Sequence, residues 1–121
     1  MDSILTSIKK LLGISEEYEH FDPDIVMHIN TVLSILTQLG VGPNTGFAIS
    51  DKTTLWSDYL PDESMATIEM VKTYIYLKVK MMFDTSTMTG SAISSAENLI
   101  SELEWRLNVA VDHGGKTDES E

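Results

Sequence analysis

The chain has no cysteine, three prolines, and eight lysine and arginine residues against nineteen acidic ones. Without cysteine it has no disulfide framework, which fits a reducing compartment. The shortage of basic residues leaves a formal net charge of −11. A field of that sign repels nucleic acid rather than gripping it. Its first consequence is to keep a small protein soluble; it also suits a wall past which DNA slides without sticking. No apolar run approaches the ~20 residues that span a bilayer, so no membrane role is expected. The first residues, MDSILTSIKKLLG, carry their lysines inside the apolar stretch and are not followed by a small-residue cleavage site. They are not expected to act as a signal peptide. Internal repeats and β-type alternation are missing too.

What is present is helical periodicity. With 42% hydrophobic residues in 121, one globular domain with one core is expected. Residues 3–12 place Ile4, Leu5, Ile8, Leu11 and Leu12 on one side, and Gly13 is a natural C-terminal stop. Asp22 and Pro23 open a second helix as N-cap and first helical residue. That helix carries Ile25, Ile29, Val32, Leu36 and Leu39 and ends at Gly40. A third helix, 64–83, has two adjacent stripes: Ile68, Val71, Ile75, Val79 and Met82, then Met70, Tyr74, Leu77 and Met81. Two stripes mean burial over more than half the circumference, as in a central helix. Residues 84–91 read as a polar turn and 92–111 as a last helix. That helix carries Ala92, Ile93, Ala96, Leu99, Ile100, Leu103 and Leu107 on its buried face. The expectation is an all-α bundle of about four helices over residues 1–111, followed by a flexible acidic tail, 112–121. Between helices two and three lies a loop, 41–63, in which TLWSDYL (54–60) forms a turn or two of helix. A loop of this length is commonly functional.

The usual chemical signatures fail on inspection. GVGPNTG (40–46) lacks the Lys-Ser/Thr that a phosphate-binding loop requires, since Phe47 and Ala48 follow it. Asp24 and His28 share a helix face, but no third or fourth ligand stands at useful spacing for zinc. Asp58, Asp62 and Glu63 cluster near Pro61, where capping of the third helix explains them better than acid–base chemistry. No nucleophile–base–acid set is legible. No enzyme, metal or cofactor is therefore expected.

One residue stands out of phase. At ~100° per residue, Trp105 falls opposite the apolar face of its own helix. Large aromatics are enriched at protein–protein contacts, so Trp105 with Arg106 is a candidate interface. Lys78 lies between the two stripes of helix three: either it snorkels to solvent along its stem, or it pairs with an acidic group from another helix or subunit. Phe47 and Trp56, in the long loop, complete the candidate interface set, and Trp56 is also expected to cap one end of the bundle.

Several segments together resemble one family. IKKLLGI (8–14), FDPDIVMHINTVLSILTQLGVGP (21–43), GF (46–47), LW (55–56), VKTYIYLKVKMMFD (71–84) and SELEWRLN (101–108) look like the head–tail connector (adaptor) proteins of long-tailed phages and of prophages in Gram-positive hosts. The family commonly has prolines directly after this Phe-Asp, where Thr85 and Ser86 stand here. The resemblance implies a virion protein, assembled in the host cytoplasm, with no catalysis and no cofactor. It implies a ring beneath the portal, dodecameric to match portal symmetry, that closes or extends the DNA channel. The ring would carry a stopper or tail-completion protein on its far side. The loop 41–63 and the tail 112–121 are the candidate docking segments. A different class, a small acidic helical regulator that inhibits a partner protein, would need its carboxylates on one face. Here they are spread over helix ends, loop and tail.

Overall fold

The computed structural model describes residues 3–83 and 88–119, with side chains for 3–82 and 88–110. Its helices are α1 (Ile4–Leu12), α2 (Asp22–Gln38), α3 (Trp56–Tyr59), α4 (Met65–Phe83) and α5 (Gly90–Glu119). The fold is all-α, with four substantial helices and the short α3 inside the long loop, as the periodicity predicts. Among the described residues the only strand-like feature is one antiparallel bridge between Ser3 and Leu55. α4 packs on α1, α2 and α5, which makes it the central helix.

The stops fall where the breakers put them. Gly13 closes α1 in the left-handed region at φ 81°, and its N–H reaches the Lys10 carbonyl. Gly40, at φ 93°, follows α2. The helix starts differ from expectation. Asp22 does not cap α2; it is the first residue of the helix, the flanking Phe21 offers no side-chain cap, and the Asp22 carboxylate turns instead to Lys9. Asp62 and Glu63 do not cap α4, because Ser64 does so, its Oγ accepting from the Thr67 N–H at 3.2 Å. Asp58 accepts the Leu55 N–H at 2.8 Å and so starts α3. α5 begins at Gly90, with the Ala92 N–H on Thr89 Oγ1. Its backbone continues through Glu119, past the end expected at Val111. Extension of an existing helix adds one hydrogen bond per residue without the nucleation cost, so loss of the apolar stripe alone does not stop it. Residues 84–87 of the expected turn and 120–121 of the expected tail lie outside the described residues.

Both stripes of α4 are used. Val71, Tyr74, Ile75 and Val79 are fully buried, whereas Met82 at the far end is exposed. Leu11 and Leu99 are also exposed, against expectation. α1 is enclosed only from Ile4 to Lys9, and Leu11 sits in the turn beyond. α5 lies mainly along α4, so it buries only the narrow seam Ala96, Ile100, Leu103 and Leu107. Leu99 is roughly 60° off that seam. Tyr76, which falls outside both stripes, is partly buried and packs against the core.

Two features were invisible in the sequence. Lys9 is 2% exposed, and its ammonium contacts Asp22 Oδ1 at 2.8 Å and the carbonyls of Glu16 and Tyr18 at 3.1 and 2.8 Å. One cation thus ties the α1–α2 connection to α1. The long loop, meanwhile, is anchored along its length. The Asn30 amide pairs with Ile49 as a strand would, accepting its N–H at 2.8 Å and donating to its carbonyl at 2.9 Å. The Ile4 N–H reaches the Thr54 carbonyl at 3.0 Å. Tyr59 is buried with its ring 4.8 Å from that of Phe47. Gly42 makes this packing possible, because a β-carbon there would lie 2.6 Å from Tyr59 Cε1 and the backbone is left-handed at φ +81°. Gly42→Ala should therefore cost about 2–5 kcal/mol, combining left-handed strain with overpacking. A urea melt showing a loss below about 1 kcal/mol would mean the loop and Tyr59 are not rigidly packed.

Candidate protein-interaction site

α5 presents its outer face because its seam to α4 is so narrow. Trp105 lies opposite that seam and is 65% exposed. Val109, one turn on, is also exposed. Met70 from α4 joins Trp105, Arg106, Val109 and Ala110 around a shallow depression. Arg106, which lines the same depression, is held by Glu102, whose Oε2 accepts from Nε and from Nη2 at 2.8 Å each. A guanidinium has five N–H donors, so those outside this clasp remain for a partner. A partly ordered Arg next to an exposed Trp is the composition typical of interface hot spots.

The other candidate residues fall elsewhere. Lys78 is half-buried, with its ammonium 6.0 Å above the Tyr74 ring. It lines a groove with Ile35, Met82, Glu97 and Glu104. The Tyr74 hydroxyl donates to Glu104 at 2.8 Å in that groove, and burial together with this carboxylate pushes the tyrosine pKa well up. Phe47 is half-buried against Tyr59. Trp56 has to be withdrawn as a contact surface. It is 1% exposed, and its Nε1–H donates to Ser7 Oγ at 3.0 Å. An indole buried from every side holds the loop to α1 and offers nothing to another molecule.

A second surface had no signal in the sequence, since it is assembled from three segments. Leu5 of α1, Pro23 and Val26 of α2 and Ile49 of the loop form an apolar floor, rimmed by Glu19, Asp51 and Lys52. Lys52 lies 3.7 Å from Glu19. Hydrogen bonds from the Thr53 hydroxyl and N–H hold the exposed Asp51 carboxyl below the usual carboxylate range. Among the described residues no group of three or more His, Cys, Asp or Glu could hold a metal ion. None of the described helices is long and apolar enough to cross a membrane.

The arrangement is that of a protein that presents surfaces. No match was found among curated proteins or among solved structures. The family model described as phage connector protein matches residues 4–114, which takes in α1 to α4, α5 as far as residue 114, and both surfaces. The chain belongs to the phage connector protein family and acts as a head–tail connector component of a phage particle.

Proposed function

We propose that copies of this protein form a ring beneath the portal of a DNA-filled head, extend the DNA channel, and offer a seat to a stopper or tail-completion protein. The observation that carries this reading is Trp105, exposed with Val109 on the outer face of α5 in a connector-family chain. An exposed indole on a rigid helix is held in place for a partner. A closed ring of twelve matches the portal symmetry that the family resemblance implies. The free protein is a monomer under this reading, and the ring forms on the portal. The loop 41–63 and residues 112–121 act as further docking segments for the portal or the stopper. No catalytic step and no cofactor is part of the reading. The protein works in the virion, and assembly takes place in the host cytoplasm.

The direct test is electron microscopy of the purified protein mixed with the portal protein of the same phage. A ring of added density coaxial with the portal is expected. Portal particles unchanged at saturating protein would overturn the reading.

The net charge gives a second check. With −11 the protein has few cations with which to displace phosphate counterions, so binding to duplex DNA at physiological salt should be negligible. Micromolar, salt-sensitive binding in an anisotropy titration would contradict a channel that lets DNA pass.

A further inference from the structure

The two surfaces on this chain complement one another, and they are too far apart to meet within one molecule. Trp105, 65% exposed on the rim of its shallow depression, serves with Arg106 as a knob that is apolar and carries a cation. The second surface is a hollow with an apolar floor of Leu5, Val26 and Ile49; its rim carries Glu19, paired with Lys52, and the carboxylate of Asp51. Its size, about 700 Å³, is within the roughly 300–1,000 Å³ of pockets that bury a bound group. Asn108, close to the knob, donates to the Leu39 carbonyl at the C-terminal end of α2. The hollow is built on Pro23 and Val26 in the first turns of the same helix. Val26 and Leu39 are thirteen positions apart, or roughly 20 Å at 1.5 Å per position. A knob and a hollow that cannot meet within one chain can meet between two copies.

We infer that the Trp105–Arg106 knob of one copy seats in the Leu5–Val26–Ile49 hollow of a second copy, with Arg106 facing Asp51. The inference rests on the ring reading above and names the contact that makes the ring. The contact joins two different patches, so each copy has one knob and one hollow still open after pairing. Such head-to-tail contacts propagate until the rotation closes them into a ring. The indole leaves water for an apolar floor. The Arg106 donors outside the Glu102 clasp meet the rim carboxylate, so that Glu102 and Asp51 hold the guanidinium from two sides. Trp and Arg are the residue types in which binding energy concentrates.

The absence of native cysteine makes the test clean. Asp51→Cys and Arg106→Cys are introduced together in one chain, and the protein is oxidised both free at high concentration and on tail-less heads. A disulfide needs α-carbons within about 7 Å, so this pair cannot close within a monomer. A ladder of dimers, trimers and higher species, reversed by reductant, is expected. Chains carrying one cysteine each, when mixed, should stop at dimers. Adding Trp105→Ala should reduce the ladder at least tenfold. The pair Glu97→Cys with Arg106→Cys should give no ladder. Should a cysteine variant fail to fold, the charge exchange Asp51→Arg with Arg106→Asp replaces it. Each single change should then weaken assembly and the double change should restore it. Sedimentation of the wild-type protein, free and on heads, separates the two readings. A closed wild-type oligomer with no ladder from the 51–106 pair, or equal ladders from both pairs, overturns this contact and leaves the ring standing. A wild-type protein that is monomeric when free and binds heads as a single copy, or not at all, overturns both.

Discussion

Replacing Lys9 by methionine should remove about 3 kcal/mol of folding stability, although the substitution keeps the length and most of the volume of the side chain. The reason is what the ammonium holds. It pairs with Asp22 at 2.8 Å and donates to two carbonyls of the 13–21 connection, at Glu16 and Tyr18. Removal of one partner of a buried pair leaves the other charge uncompensated, which costs roughly 3–5 kcal/mol. Asp22 is 21% exposed, so water relieves part of that penalty and the low end of the range applies. For a domain of total stability of about 5–15 kcal/mol this is a large fraction. Urea melts of Lys9→Met, of Asp22→Asn and of the double variant give the coupling between them. Asp22→Asn should cost less, because the ammonium keeps its two carbonyls. A loss below 1 kcal/mol in Lys9→Met would show that the α1–α2 connection is held by other contacts.

Trp105→Ala should have the reverse profile. The side chain is 65% exposed, so its removal takes little apolar surface out of the monomer. Alanine is also the better helix former, by a few tenths of a kcal/mol. The melting temperature should stay where it is or rise slightly. Joining of heads to tails should fall at least 30-fold, because truncation of an interface hot spot costs about 2 kcal/mol or more per contact. The same loss recurs at every contact around a ring. Both measurements use one preparation: thermal melting for the monomer and in vitro head–tail joining for assembly. A large drop in melting temperature with joining intact would make Trp105 an ordinary packing residue and would remove the observation that carries the proposed function.

These two residues mark how far the chain could be read before it was folded. Trp105 is legible because its exposure follows from phase alone. It stands half a helical turn from a seam defined by its own neighbours. Lys9 is illegible for the opposite reason. Its sequence neighbours say only that a lysine interrupts an apolar face, and the groups that bury it come from the connection after α1 and from the start of α2. Trp56 falls between. An indole in a loop reads equally as anchor or as contact, and the choice is made by Ser7, 49 positions away, which accepts its N–H. Leu99 and Leu11 were misplaced because periodicity gives an angle on a helix but not how many neighbours cover that angle.

The sequence by itself determined the helices and their stops at Gly13 and Gly40. It also determined the double stripe that makes α4 central, the phase of Trp105, and the connector family, all of them properties of short stretches or of residue order. The tertiary structure alone decided the enclosure of Lys9 by Asp22 and two carbonyls, and the fixing of the long loop through Asn30 and Trp56. It alone built the hollow between α1, α2 and Ile49. Each of these joins groups that are distant along the chain, and their energy exists only when packing brings the groups to within hydrogen-bonding or van der Waals distance.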